Sequence, residues 1–136
     1  MSMFSKNSKD TLNTTNQALQ ALFYEVVKHF DCKVTEGYRT VERQKDLVAS
    51  GVSKTMNSRH LDGNAVDVYP YPIRIPDPNS KSFGKDLARF YYFGGFVKGM
   101  ATAMGISIRW GGDWDGDTEV NDQSFDDLPH FELKEK

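Results

Sequence analysis

The sequence predicts an α+β fold, with about three helices packed around a small sheet. Two patterns carry that prediction. Leu19, Leu22, Phe23, Val26, Val27 and Phe30 recur at the spacing of a single apolar helix face. The short stretches "CKVTEG", "AVDVYPY", "ISIRWGG" and "HFEL" read instead as strands. The 136 residues, 38% hydrophobic and 26% charged, suffice for one domain with a core and do not comfortably make two.

Taken in order, Thr14 and Gln17 have capping-box spacing ahead of the first helix. "CKVTEG" is ended as a strand by Gly37. Thr40 is placed to cap a second helix, "VERQKDLVAS", with Gly51 just beyond its end. In "AVDVYPY", alternation sets Val66 and Val68 on one face and Asp67 and Tyr69 on the other. "PYPIRIPDPNSKS" holds four of the five prolines and reads as a loop. Phe83, Leu87, Phe90, Val97, Met100 and Met104 mark a long third helix, and its "FYYF" cluster reads as core. Gly94 and Gly95 inside it cost about 1 kcal/mol each relative to alanine, which implies close packing or a break. No repeat or low-complexity tract interrupts the chain.

Composition excludes several classes. A formal net charge of −2 offers no basic field for nucleic acid or an anionic membrane surface. Cys32 is the sole cysteine, so neither an intrachain disulfide nor a multi-cysteine zinc site is available, and it reads as a small residue beside a strand. The most apolar region is interrupted by Lys85, Asp86, Arg89 and Lys98, which argues against a membrane span. "MSMFSKNSKD" lacks the apolar run of a signal peptide, so folding in a cytoplasm is expected.

Two clusters carry chemistry. On a strand starting at His130, His130 and Glu132 face one way while Phe131 and Leu133 face the other. If that strand pairs with "AVDVYPY", His130 and Asp67 project on the same side, and His60 can fold back over them through Gly63. Two imidazoles and a carboxylate suit Zn2+ with a fourth position left for water. The alternative is that these are ordinary surface or core histidines. His29 reads as a charge partner for the end of its helix. A hydrolytic site also needs a base, and Asp127 lies three residues before His130. Asp126 is the rival, four residues before, expected to alternate to the other side of an extended segment. Separately, "DWDGDTEVND" sets Asp113, Asp115, Asp117 and Glu119 at every second position, as calcium loops do. It lacks the glycine and distal glutamate of an EF-hand, so a Ca2+ site and a solvated acidic turn both stay open.

"SRHLDGNAVD" fits the pattern Ser-x-His-x-x-Gly-x-Ala-x-Asp at Ser58, His60, Gly63, Ala65 and Asp67. In this it resembles the zinc peptidases that cut D-amino-acid-containing peptides of bacterial cell walls, the D-alanyl-D-alanine carboxypeptidase-like family. "VTEGYRTVERQKDLVASGVSKT", "WGGDW" and "DLPHFEL" resemble further segments of that family in the right order. The resemblance implies a small antiparallel sheet with a zinc site at its face, as in D-alanyl-D-alanine peptidases and hedgehog-like folds. It implies His60, Asp67 and His130 as zinc ligands, Arg39 of "GYRT" as the holder of the substrate carbonyl oxygen, and Asp127 as the acid/base. Carboxypeptidases and dipeptidases usually carry glutamate at that last place; aspartate resembles the phage endolysin branch. Ser58 reads either as a support for a ligand or as a plain turn residue.

The expectation is therefore one zinc peptidase domain over 1–136, without a separate wall-binding domain, cleaving the L-alanyl-D-glutamate bond of the peptidoglycan stem peptide for host-cell lysis. It would be a monomer that accumulates in the host cytoplasm until a separate membrane-permeabilising protein gives access to the wall. Two alternatives remain. One is a D-alanyl-D-alanine carboxypeptidase or dipeptidase, which needs a clamp for a free carboxylate, with Arg74 and Arg109 as candidates. The other is a non-catalytic wall-binding or virion structural module braced by zinc.

Overall fold

The structure, a computed structural model, describes residues 2–53, 55, 56, 58–119 and 127–134. Along the chain run α1 (Lys6–Leu12), α2 (Gln17–Val27), β1 (Cys32–Glu36), α3 (Val41–Ala49) and a 3-10 turn at Arg59–Asp62. After them come β2 (Ala65–Pro70), α4 (Phe83–Ala103), β3 (Ile108–Gly111) and β4 (Asp127–Leu133). The strands form one sheet in the order β1-β2-β4-β3, and each neighbouring pair is antiparallel. The fold is α+β, as expected.

Period-two alternation divides the sheet into two chemically different faces. Val34, Val66, Val68, Trp110 and Phe131 are buried on the face covered by α2 and α4. Phe131 meets Phe23 of α2 and Phe93 of α4 edge-on, at centroid distances of 5.4 and 6.0 Å. The predicted apolar stripe of α2 is buried there through Leu19, Leu22, Phe23, Val26 and Val27. The opposite face carries Asp67, Tyr69, His130 and Glu132, and Glu36 joins it through an irregularity in the β1–β2 register, where Val34 pairs with Val68 but Glu36 with Asp67. Burying one face of each strand thus presents the polar residues of the other face together.

Several elements differ from the sequence reading. Four α-helices are present among the described residues rather than about three. The unforeseen one, α1, has no apolar periodicity and buries Ser8 and Leu12. The Ser8 hydroxyl accepts the Val34 N–H at 3.2 Å, so this helix covers the outer edge of β1. The cap of α2 is Asn16, whose Oδ1 accepts from Ala18, rather than Thr14. Thr14 instead donates to the Thr11 carbonyl and accepts the Tyr38 N–H.

Thr40 does cap α3, and Gly51 beyond it adopts φ +82°. Helix α4 runs unbroken through Gly94 and Gly95. Gly94 is there for packing, since a Cβ would run into the Trp110 indole, whereas one at Gly95 would meet nothing within 4 Å. Strand β4 starts at Asp127, earlier than "HFEL" suggested. No helix among the described residues is long and apolar enough to cross a membrane.

Candidate functional site

His60 sits in the 3-10 turn, which Ser58 caps by accepting the His60 N–H at 3.2 Å, and which Gly63 ends at φ +76°. Ser58 thus takes the turn role and holds the His60 backbone in the same act. The His60 ring is buried. Its Nδ1 stands 2.8 Å from the Gly37 carbonyl, which can only accept, so Nδ1 carries the proton and Nε2 keeps its lone pair. That Nε2 lies 3.2 Å from Asp67 Oδ1. Gly37 can be nothing larger, because a Cβ would stand 2.5 Å from the Thr11 carbonyl oxygen. The unforeseen α1 therefore shapes the site through Gly37.

His130 lies directly across the β2–β4 ladder from Asp67, as the pairing of the two strands required. Its Nδ1 is 3.3 Å from the same Asp67 Oδ1, and its Nε2 donates to Glu132 Oε1 at 2.9 Å. One donor atom from each of His60, Asp67 and His130 falls within 4.8 Å of the others. Metal–nitrogen bonds of about 2.0–2.1 Å in a tetrahedral site imply ligand–ligand edges of about 3.3–3.4 Å, close to the two distances seen here.

The donor chemistry agrees. Both rings are tied at their remote nitrogens to acceptors, so two lone pairs face one carboxylate, an array that needs a cation between them. Without a metal a proton serves. Burial opposes the imidazolium, but hydrogen bonds to Asp67 and Glu132 outweigh it and push His130 up to about 9. Burial likewise opposes the Asp67 carboxylate, yet the two histidines hold its carboxyl well below the usual range.

Asp127 also reaches this cluster, with Oδ2 3.9 Å from His130 Nδ1. Contrary to the expectation from the sequence, regular alternation would favour Asp126 over Asp127, because residues four apart on a strand face the same way and residues three apart face opposite ways. The β3–β4 register supplies the reason: Trp110 pairs with Phe131, but the next residue, Gly111, pairs with Asp127. The extra residues form a bulge that redirects the Asp127 side chain. Gly111 must lack a side chain, since a Cβ would strike the Asp127 carbonyl. Burial, with the negative charge of Asp67, raises the Asp127 carboxyl against the opposing pull of His130, His60 and Arg39. Asp126 lies outside the described residues.

Arg39 is buried and clamped. Its Nε donates to Glu36 Oε1 at 2.9 Å and its Nη1 to Gln44 Oε1 at 2.7 Å, while Nη2 stands 3.8 Å from Asp67 Oδ2. Gln44, fully buried, is held in turn by the Ser53 hydroxyl and the Thr55 carbonyl. Sequence reasoning missed Glu36, Gln44 and Glu132 as supports. Strand alternation already set Glu132 beside His130; nothing in a polar helical segment marked Gln44.

Arg39, His60, Asp67, Asp127, His130 and Glu132 line one cleft of about 830 Å³, to which Arg59, Tyr69, Arg109 and Trp114 also contribute. Of the two arginines considered as carboxylate clamps, Arg109 lines the cleft and Arg74 does not. In the acidic loop, Asp113, Asp115 and Asp117 bring one oxygen each within 4.8 Å of one another, and Glu119 stands outside that group. Asp113 is buried; its Oδ2 accepts from the Thr118 N–H, and its Oδ1 has no hydrogen-bond partner among the described residues. Cys32 is buried against the core, which pushes its thiol up to about 12 and leaves it inert.

The α+β scaffold thus gathers His60, Asp67, His130, Asp127 and Arg39 in a single cleft, an arrangement that fits a metal-assisted hydrolase. The chain belongs to the phage L-alanyl-D-glutamate peptidase family, whose model matches residues 1–134, and is a peptidoglycan endopeptidase. The L-alanyl-D-glutamate peptidase of Escherichia phage T5 is 28% identical over 125 residues, 88% of this chain and 87% of that one. The structure of the Serratia marcescens L-Ala D-Glu endopeptidase ChiX superposes with a TM-score of 0.71 at 25% identity, covering 98% of this chain and 91% of that one. The LdcB LD-carboxypeptidase shares the fold, with a TM-score of 0.51 at 21% identity over 86% of this chain and 56% of its own.

Proposed function

We propose that this chain is a zinc endopeptidase that hydrolyses the L-alanyl-D-glutamate bond of the peptidoglycan stem peptide, with Zn2+ held by His60, Asp67 and His130. The supporting observation is that Asp127 and Arg39, neither of which is needed to hold a metal, share a cleft with the three donor side chains. A non-catalytic zinc-braced module has no use for either. The chemistry supplied by such a metal is Lewis acidity toward a water and toward the scissile carbonyl.

The protein's own groups do the rest. Asp127 takes a proton from the attacking water as its oxygen bonds to the alanyl carbonyl carbon. It then delivers that proton to the glutamyl nitrogen as the C–N bond breaks. Its upward-shifted carboxyl brings it nearer the pH at which it must both accept and release a proton. Arg39, immobilised by Glu36 and Gln44, neutralises the charge developing on the carbonyl oxygen through its remaining N–H groups. Residues 1–136 act as one peptidase domain and as a monomer. The chain is made in the host cytoplasm and reaches the wall once a separate protein permeabilises the membrane. The Asp113, Asp115 and Asp117 group is a secondary Ca2+ site in this reading, supported by the buried Asp113 Oδ1, which has no hydrogen-bond partner among the described residues.

The test is mass spectrometry of fragments released from purified peptidoglycan by the zinc-loaded protein. Stem peptides with a new D-glutamate amine are expected. Release of D-alanine or its dipeptide would move the chain to the carboxypeptidase or dipeptidase reading, and no release would favour the non-catalytic one. Asp127→Asn should retain zinc and lose about 100- to 10,000-fold in rate; wild-type turnover would refute the role given to Asp127.

A further inference from the structure

We propose that Arg109, seated on Trp114 at the side of the cleft, binds a free carboxylate of the stem peptide and thereby sets the enzyme's preference among wall chemotypes. This rests on the endopeptidase reading above. Arg109 stands across β3–β4 from Glu132 and lines the same cleft as the donor cluster. Its guanidinium carbon lies 5.3 Å from the Trp114 ring centroid, and its Nε donates to the Trp114 carbonyl at 3.3 Å. Stacking and that hydrogen bond orient the planar fork while its side chain stays 44% exposed.

The two Nη groups are the part not consumed. Nη1 is 3.6 Å from Glu132 Oε2, beyond hydrogen-bond distance, and neither Nη bonds another acceptor among the described residues. That contact is a loose ion pair, and Glu132 makes its stronger contact through Oε1, which accepts a hydrogen bond from His130 Nε2. The other arginines of the cleft are engaged, Arg39 by Glu36 and Gln44 and Arg59 through Nη2 to the Leu133 carbonyl, and Lys134, which also lines it, has no planar fork. Arg109 thus presents the paired N–H edge that matches a carboxylate bidentately. The same Trp114 ring lies 5.4 Å from the His130 ring, so a carboxylate held there is close to the reacting bond.

Stem peptides offer two such groups. D-Glutamate is joined onward through its γ-carboxyl, leaving the α-carboxylate free beside the scissile nitrogen unless it is amidated. A diaminopimelate in the third position carries a carboxylate that lysine lacks. Either would satisfy Arg109, and Asp115, which lines the cleft too, would select against a second negative charge nearby.

The experiment uses the zinc-loaded full chain and synthetic stem peptides in three forms: D-glutamate followed by lysine, its α-amide, and D-glutamate followed by diaminopimelate. KM, kcat and bound zinc are measured for wild type, Arg109→Gln and Arg109→Lys. The wild type should show a KM about 10- to 100-fold lower for a carboxylate peptide than for its neutral counterpart. Arg109→Gln should collapse that ratio to near one with zinc still bound, and Arg109→Lys should restore part of it. A difference between the first two peptides assigns the α-carboxylate; a difference only with diaminopimelate assigns the third residue. A wild-type preference that survives in Arg109→Gln, or an equal loss on every peptide, would overturn the proposal. Failure of the wild type to cleave any of the three would instead overturn the endopeptidase reading beneath it.

Discussion

Replacing Glu132 by glutamine should weaken zinc binding while leaving all three donor side chains in place. Glu132 Oε1 accepts from His130 Nε2 at 2.9 Å, and Glu132 is 8% exposed, so solvent screens this bond little. A carboxylate in that position fixes the ring, forces the lone pair onto Nδ1 and raises the basicity of the donor nitrogen. Hydrogen bonds to a charged partner contribute about 1.5–3 kcal/mol and neutral ones about 1 kcal/mol. Glutamine keeps an acceptor oxygen and loses the charge, so the difference is about 1–2 kcal/mol, roughly a 5- to 30-fold weaker Kd. The Arg109 contact at 3.6 Å adds little, being loose and 44% exposed on the arginine side. Competition against a chromophoric chelator at fixed pH reads the Kd directly. A Kd within twofold of wild type would refute the reasoning, and so would lost activity with zinc binding intact, because either would mean that Glu132 does not act through His130.

Three further outcomes are expected. In the metal-free protein the raised pKa of His130 contributes stability that is complete below 6.5 and lost as the pH climbs through about 9. The depressed Asp67 carboxyl contributes above 3.8 and is lost on acidification. Urea midpoints of chelated protein should therefore be highest between these limits and fall toward pH 9, whereas zinc-loaded protein should hold its midpoint; a chelated midpoint that rises from pH 7 to 9 would contradict this. Gly94→Ala should cost about 1–3 kcal/mol by driving a methyl into Trp110, while Gly95→Ala should gain up to about 1 kcal/mol from helix propensity; equal shifts in Tm would count against the packing argument. Calcium titration should raise Tm if Asp113 Oδ1 takes a ligand, and unchanged Tm and activity would remove the calcium site.

Local pattern was enough for much of the architecture. The stripe from Leu19 to Val27, the Thr40 cap and the alternation of Val66, Asp67 and Val68 each follow from near neighbours and from burial of one face. The same alternation sent His130 and Glu132 to one side together, and pairing β2 with β4 in that register brought His130 across from Asp67. The grouping of His60, Asp67 and His130 was therefore legible before any coordinates. Helix α1 was not, because it is held by covering the edge of β1 rather than by an apolar stripe.

What sequence could not settle depended on contacts between distant segments. The tautomer of His60 is set by the Gly37 carbonyl, 23 residues away, and Gly37 is held open by the end of α1. The Arg39 clamp depends on Gln44 being buried, which its local sequence does not signal. Asp127 comes to the His130 side only through the bulge opposite Gly111, a register irregularity that strict alternation would have ruled out. Sequence by itself determined which polar side chains could gather on one face of the sheet, because side-chain type and strand period are local properties. The tertiary structure decided their tautomers, their supports and the aim of Asp127, because each of those is set by a partner that the chain supplies from elsewhere.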